Sequence, residues 1–122
     1  MRWPDLKLTL KRGRMLKRRS EFQRVYHKGR SYAGRYLILY VFRNYHGEKD
    51  HVGFAAGKKL GCAAVRNRVK RLLRESYRLE QARVPQGVTL LLVGRAAAAK
   101  AKSQLVQQEF VRLLKKAKLV ET

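Results

Sequence analysis

The stretch Lys58–Arg78, KKLGCAAVRNRVKRLLRESYR, constrains the fold more than any other part of the chain. Wound as a helix at about 100° per residue, it gathers Val65, Val69, Leu72, Ser76 and Leu79 on one face. Asn67, Lys70, Arg71, Arg74 and Arg78 fall on the opposite face, with Arg66 beside them. One side must be buried against other elements, and the other presents a row of cations that repel one another. A polyanion relieves that repulsion, and nucleic acid is the commonest polyanion. A solvated basic face is the plain alternative.

The rest of the composition favours the polyanion. The chain has 122 residues, with 30 Lys and Arg against 8 acidic residues, a formal net charge of +22. Such a charge is also compatible with disorder, but 45% hydrophobic residues, among them six Tyr and four Phe, are enough for one modest core. A single folded domain over 1–122 is expected. One cysteine excludes an internal disulfide and a cysteine-based metal site, and suits a reducing cytoplasm. The first 20 residues have no apolar run, so no signal peptide is expected. Tyr36–Phe42 and Val88–Val93, the longest apolar runs, are too short to span a bilayer, and no membrane partner is expected.

In chain order, residues 1–19 hold eight Lys or Arg and one acid, and read as a basic arm. Ser20 has the chemistry of an N-cap for the short helix EFQRVYHK, closed by Gly29, with Phe22, Val25 and Tyr26 on one stripe. Tyr36–Phe42 reads as a strand with Leu37, Leu39 and Val41 on one face and Tyr36, Ile38, Tyr40 and Phe42 on the other. A polar turn over 44–50 leads to His51–Ala56, expected to pair back on it as the next strand. A further strand within 29–34 is left open by the pattern. After the basic helix, Pro85 and Gly87 mark a loop, and Val88–Val93 is a continuous apolar strand of the centrally buried kind. Residues 94–100 form a connector or a frayed helical start. The last helix is expected over Lys102–Leu119, with Val106, Phe110, Leu113, Ala117 and Val120 inward. Helices and strands in this order give an α+β sandwich of one sheet with helices packed on it.

Catalytic chemistry is hard to find. His27, His46 and His51 have no metal-ligand spacing and read as surface residues. No carboxylates pair: Glu48 and Asp50 fall in a turn, while Glu75 and Glu80 read as local partners on the basic helix. Cys62 precedes a helix start amid cations, which lowers a thiol pKa, but without a histidine base it reads as a small packing residue. The segment Gly57–Gly61, GKKLG, lacks phosphate-loop spacing, although its amides and two lysines suit a phosphate. Neither catalytic residues nor a metal site is expected. What the residues do supply is the cationic helix face and an aromatic set, Phe22, Tyr26, Tyr36 and Tyr40. Rings on an open groove stack on unpaired bases at roughly 1–3 kcal/mol each, whereas rings in a closed interior are ordinary core.

The run GFAAGKKLGCAAVRNRVKRLLRE resembles the signature of the bacterial ribonuclease P protein family: a strand, a Lys-Lys–Gly segment, then A-V-x-R-N-R-x-K-R-x-x-R-E. Upstream, RMLKRRSEFQRVYHKGRSY is similar to that family's opening, and VTLLLVGRAA and the last helix fall where the family has theirs. The resemblance covers nearly all of 10–118. It implies an α-β-β-β-α-β-α sandwich, ribosomal protein S5 domain 2-like, with a left-handed crossover around the basic helix, which general topology rules would not give. It also implies a subunit of a ribonucleoprotein endonuclease that removes the 5′ leader of precursor tRNA. The RNA subunit carries the catalytic centre, Mg²⁺ performs the hydrolysis, and no cofactor is bound by the protein itself.

By position, the resemblance implies that Arg66, Asn67, Arg68, Lys70, Arg71 and Arg74 contact the catalytic RNA. Phe22, Tyr26, Ile38 and Tyr40 would line the leader cleft, with Lys58 and Lys59 on its rim. The implied partners are ribonuclease P RNA and precursor tRNA, with no obligate protein partner. Gly57 and Ala55 stand where small hydroxyl residues are common, and Tyr26 stands where Phe is common. Two other readings compete: a ribosomal or assembly protein that only scaffolds RNA, and a self-sufficient nuclease, which lacks clustered His, Asp and Glu.

Overall fold

The computed structural model describes residues 19–43, 51–85 and 87–119. The arm before residue 19, the turn over 44–50 with His46, Glu48 and Asp50, the side chain of His51, and Val120 lie outside the described residues. In chain order the elements are α1 (Arg19–Lys28), β1 (Arg30–Ala33), β2 (Leu37–Arg43), β3 (His51–Ala56), α2 (Ala63–Glu80), β4 (Val88–Gly94) and α3 (Ser103–Lys116). This is the α-β-β-β-α-β-α order. Single 3₁₀ turns follow β3 (Lys58–Leu60), α2 (Gln81–Arg83) and β4 (Ala96–Lys100).

Helix α1 starts one residue before Ser20, so Ser20 is inside the helix rather than its cap. Its end is as expected: the Gly29 amide donates to the Val25 carbonyl at 2.8 Å. The short strand left open by the pattern exists as β1, antiparallel to β2.

The sheet order is β1-β2-β4-β3, which corrects the expected pairing of β2 with β3. Strand β4 lies between them, antiparallel to β2 and parallel to β3. Its sequence explains the insertion: VTLLLV is apolar on both faces, and Val88 to Leu92 are all buried. Such a strand is most stable with a ladder on each side and cover on both faces. Helix α2 is thereby the crossover between two parallel neighbours.

Period-two alternation divides the sheet. On one face Leu37, Leu39, Val52, Phe54, Leu90 and Leu92 are buried beneath α2 and α3, with Val69, Leu73, Phe110, Leu113 and Leu114. On the other, Val25 of α1 packs on Leu91, flanked by Phe22, Tyr40, Phe42, Ala55 and Val93. Among the described residues that second face has a single helix against it and stays half open.

The buried stripe of α2 is Val69, Leu73, Ser76 and Tyr77, while Leu72 and Leu79 are only half-buried. The helix is thus turned from the expected face towards Leu73 and Tyr77. The cause is the Tyr77 ring, which lies 6.0 Å from Phe54 on the sheet and 6.2 Å from Phe110 on α3. Ser76 is tolerated in this interior because its hydroxyl donates to the Leu72 carbonyl at 3.0 Å. Helix and sheet approach closely at Gly94, where a Cβ would lie 2.3 Å from Val69 Cγ1.

Val106, Phe110, Leu113 and Ala117 of the last helix are buried as expected, but the helix ends at Lys116. Leu119 N–H donates to Leu114 O and Lys118 N–H to Lys115 O, a Schellman closure with Lys118 at φ 61°. A left-handed backbone at a non-glycine residue costs about 1 kcal/mol.

One buried residue was not anticipated. Glu109 sits inside the apolar stripe of α3 and is 6% exposed. Its Oε1 accepts from the amides of Tyr36 (2.7 Å) and Leu37 (2.9 Å), and Oε2 from that of Arg35 (2.8 Å). The carboxylate thereby fixes the turn that starts β2, and Gly34 leaves room for it, since a Cβ there would lie 2.3 Å from the carboxyl group.

Candidate nucleic-acid interface

The six residues expected to meet RNA on α2 do not form one face. Asn67 and Arg71 are exposed opposite the buried stripe. Arg68 points to one flank, where its Nη1 donates to the Ala99 carbonyl at 2.6 Å. The other flank carries Lys70, half-buried, and Arg74, whose guanidinium lies 5.9 Å above the Phe54 ring. Arg66 is half-buried, and among the described residues its Nε, shielded from solvent, has no hydrogen-bond partner. Arg78, expected in the cationic row, is held by Glu75 one turn earlier. The arrangement is a broad cationic ridge, with Arg68 and Arg74 oriented by contacts of their own.

Cys62 is the N-cap residue of α2 and is exposed, so it does not pack as a small core residue. The amides of Val65, then Ala64, face its sulfur and hold the thiol pKa below its ordinary value, with a smaller contribution from Arg66. Lys58 and Lys59 are exposed in the 3₁₀ turn just beyond the end of β3. The expected stripe on α1 is divided: Val25 is buried, Phe22 half-buried, and Tyr26 is 52% exposed.

The aromatic set comes together on the half-open face. Tyr26 and Tyr40 have centroids 5.0 Å apart at 36°, and Phe22 joins Tyr40 in the cluster around Val25 and Leu91. Ile38 follows on the same face, in register with Val93 and through it with Ala55. Burial, then the neighbouring Tyr26 hydroxyl, raises the Tyr40 pKa. His27 is exposed, its ring edge-on to Tyr26 at 5.3 Å. Tyr36 is not part of this platform. It precedes β2 and packs against the main core, beneath the Arg35 guanidinium at 5.7 Å.

Val93, Leu91 and Ala55, which complete the floor, were missed because their faces become assignable only once β4 is known to lie beside β2. The platform thus offers ring faces and an apolar floor, and no acid-base pair. Among the described residues, no group of three His, Cys, Asp or Glu is placed to hold a metal ion. Nor is any described helix long and apolar enough to cross a membrane.

The chain is 45% identical over 106 residues to the ribonuclease P protein component of Natranaerobius thermophilus, covering 87% of this chain and 91% of the relative. It is 42% identical over 112 residues to that of Symbiobacterium thermophilum, covering 92% and 97%. The fold superimposes on the Staphylococcus aureus RNase P protein with a TM-score of 0.76 at 29% identity, over 88% of this chain and 98% of that one. With the ribonuclease P family profile matching residues 10–118, which include α1, the whole sheet and the ridge of α2, the chain belongs to the ribonuclease P protein family.

Proposed function

We propose that the chain binds the catalytic RNA of ribonuclease P through the α2 ridge and receives the 5′ leader of precursor tRNA on the platform between α1 and the sheet. In this reading Arg66, Asn67, Arg68, Lys70, Arg71 and Arg74 engage RNA phosphates and base edges. Phe22, Tyr26, Ile38 and Tyr40 hold the leader, with Lys58 and Lys59 at its rim. The observation that carries it is the Tyr26–Tyr40 pair on the half-open sheet face. A single strand can stack there whatever its sequence, which suits leaders of differing sequence.

The protein's own chemistry is positional. Cations on the ridge lower repulsion between two RNAs, and the rings fix the leader so that the scissile bond meets the RNA's centre. The hydrolytic chemistry would be supplied by Mg²⁺ held on that RNA, and no residue of this chain is assigned to it. The reaction then takes place in the cytoplasm, where the RNA subunit and precursor tRNAs are made.

The test is cleavage of a 5′-labelled precursor tRNA at low Mg²⁺ by this protein, a bacterial ribonuclease P RNA, or both. Cleavage at the mature 5′ end only when both are present is expected. The double change Phe22→Ala and Tyr40→Ala should weaken precursor binding by roughly 1.5 to 4 orders of magnitude and mature tRNA hardly at all, from about 1–3 kcal/mol for each of the two rings. Equal loss for both tRNAs would refute the leader platform, and failure to stimulate the RNA would favour a scaffold.

A further inference from the structure

At the end of the sheet remote from Lys58 and Lys59 lies a groove of about 630 Å³. Its walls carry Lys28 at the end of α1, Arg30 and Tyr32 on β1, Arg43 at the end of β2, and Lys116 and Lys118 at the end of α3. Among the described residues no acidic side chain lines it, and none of these five cations has an ion-pair partner. Lys28 and Lys116 have an ordinary explanation, because cations in a last helical turn complement the macrodipole. Arg30 and Arg43 lie on strands and have none. Lys118 occupies the left-handed position of a Schellman closure, where glycine is unstrained, yet it carries an ammonium group into the groove wall. Strain kept at a charged concavity points to a ligand.

We propose that this groove is a second RNA-docking site, which takes the phosphodiester backbone of a folded RNA segment other than the one held by α2. Five cations around a concavity match a run of phosphates, and contacts of this kind fix register and orientation rather than read sequence. Strand β2 spans seven residues between the two regions, about 20 Å. RNA held at both points cannot pivot about either. The proposal rests on the reading of this chain as an RNA-binding subunit.

Affinity for a bacterial ribonuclease P RNA against salt tests it. The triple change Arg30→Gln, Arg43→Gln and Lys118→Gln should lower the log–log salt slope by about 2–3 and the affinity at 0.1 M salt by about 10²-fold. Arg83→Gln, Arg112→Gln and Lys115→Gln, on the cleft between α2 and α3, remove the same charge and should change the slope by less than about 1. Lys118→Gly should raise the melting temperature while lowering the slope by about 1, opposite effects that a purely structural lysine would not produce. Matching behaviour of the two triple variants, or a Lys118→Gly protein of unchanged affinity, would overturn the groove.

Iron-EDTA tethered at the native Cys62, and at Arg43→Cys in a Cys62→Ser chain, should cut two different RNA segments. Cuts from Cys62 alone would remove the groove and leave the ridge standing. No cuts from either would overturn the RNA-subunit reading itself.

Discussion

Removing the Glu109 carboxylate should destabilise the whole domain and loosen the proposed leader platform before the α2 ridge. Three amides converge on it, those of Tyr36 and Leu37 on Oε1 and that of Arg35 on Oε2. The Leu37 site is buried, while those of Arg35 and Tyr36 are part-buried, so water can partly replace the acceptor there. Hydrogen bonds to a charged partner contribute roughly 1.5–3 kcal/mol, and an orphaned buried amide costs about 1–3 kcal/mol. Glu109→Ala orphans all three and should cost about 3–5 kcal/mol after allowing for water. Glu109→Gln keeps a carbonyl for Tyr36 and Leu37 but turns an NH₂ towards the Arg35 amide, and should cost about 2 kcal/mol. Urea unfolding followed by far-ultraviolet circular dichroism, with sulfate present, reads both values. In both variants the start of β2 loses its anchor, so binding of a leader oligonucleotide should fall further than binding of the catalytic RNA. Wild-type stability in Glu109→Gln, or equal costs for the two variants, would refute the argument that the three amides depend on this acceptor.

The remaining expectations concern other parts of the same frame. Because the folded pKa of Tyr40 is raised by burial and then by Tyr26, the stability linked to it is complete below the ordinary tyrosine pKa of about 10 and is lost as pH rises through the folded value. Phenolate absorbance should show a late-titrating component that Tyr40→Phe removes, and an unchanged high-pH titration in that variant would contradict it. The Cys62 thiol, with its pKa lowered by the Val65 and Ala64 amides, should be alkylated with a pH inflection below that of the urea-unfolded chain. An inflection at the unfolded position would mean that the helix start does not act on it. Gly94→Ala should destabilise by roughly 1–3 kcal/mol through overpacking against Val69, and partial recovery in Gly94→Ala with Val69→Ala would identify the clash. Raising sulfate at fixed pH should increase the melting temperature more than the same ionic strength of chloride, since +22 opposes compaction; equal effects would reduce this to simple screening.

What could be read from the residues was what depends on short-range periodicity. Helix α2 and its split into apolar and cationic faces, the inward residues of α3 and the closure at Gly29 all follow from spacing within one or two turns. Their errors are errors of rotation or of a single residue: Tyr77 in place of Leu72, and a helix that begins before Ser20. The pairing of β4 between β2 and β3 depends on partners far apart in the chain, such as Leu37 with Gly94 and His51 with Thr89, and β3 after β2 reads locally as a hairpin. Tyr36 failed for a related reason. Alternation places it with Ile38 and Tyr40, but the strand begins at Leu37, so alternation does not govern the residue before it. Glu109 did have a local signal, an acid three residues after Val106 and four before Leu113, within the apolar stripe. Its purpose became visible only with the amides of Arg35 to Leu37 beside it.

The acids also explain why the cationic surfaces stay available. Each acidic side chain among the described residues is already engaged: Glu75 holds Arg78, Glu80 meets Arg83 and Gln107, and Glu109 binds a backbone turn and Arg112. None of them is directed at Asn67, Arg71 or Arg74, at Lys58 and Lys59, or at the groove between β1 and α3. Pairing acids with those cations would have stabilised the free protein by the small amounts typical of surface pairs. It would also have removed the field that draws a polyanion to it. Among the described residues the fold therefore confines its acids, Glu75, Glu80 and Glu109, to positions where they set its geometry, and leaves the cations of the ridge and the groove available to a polyanion.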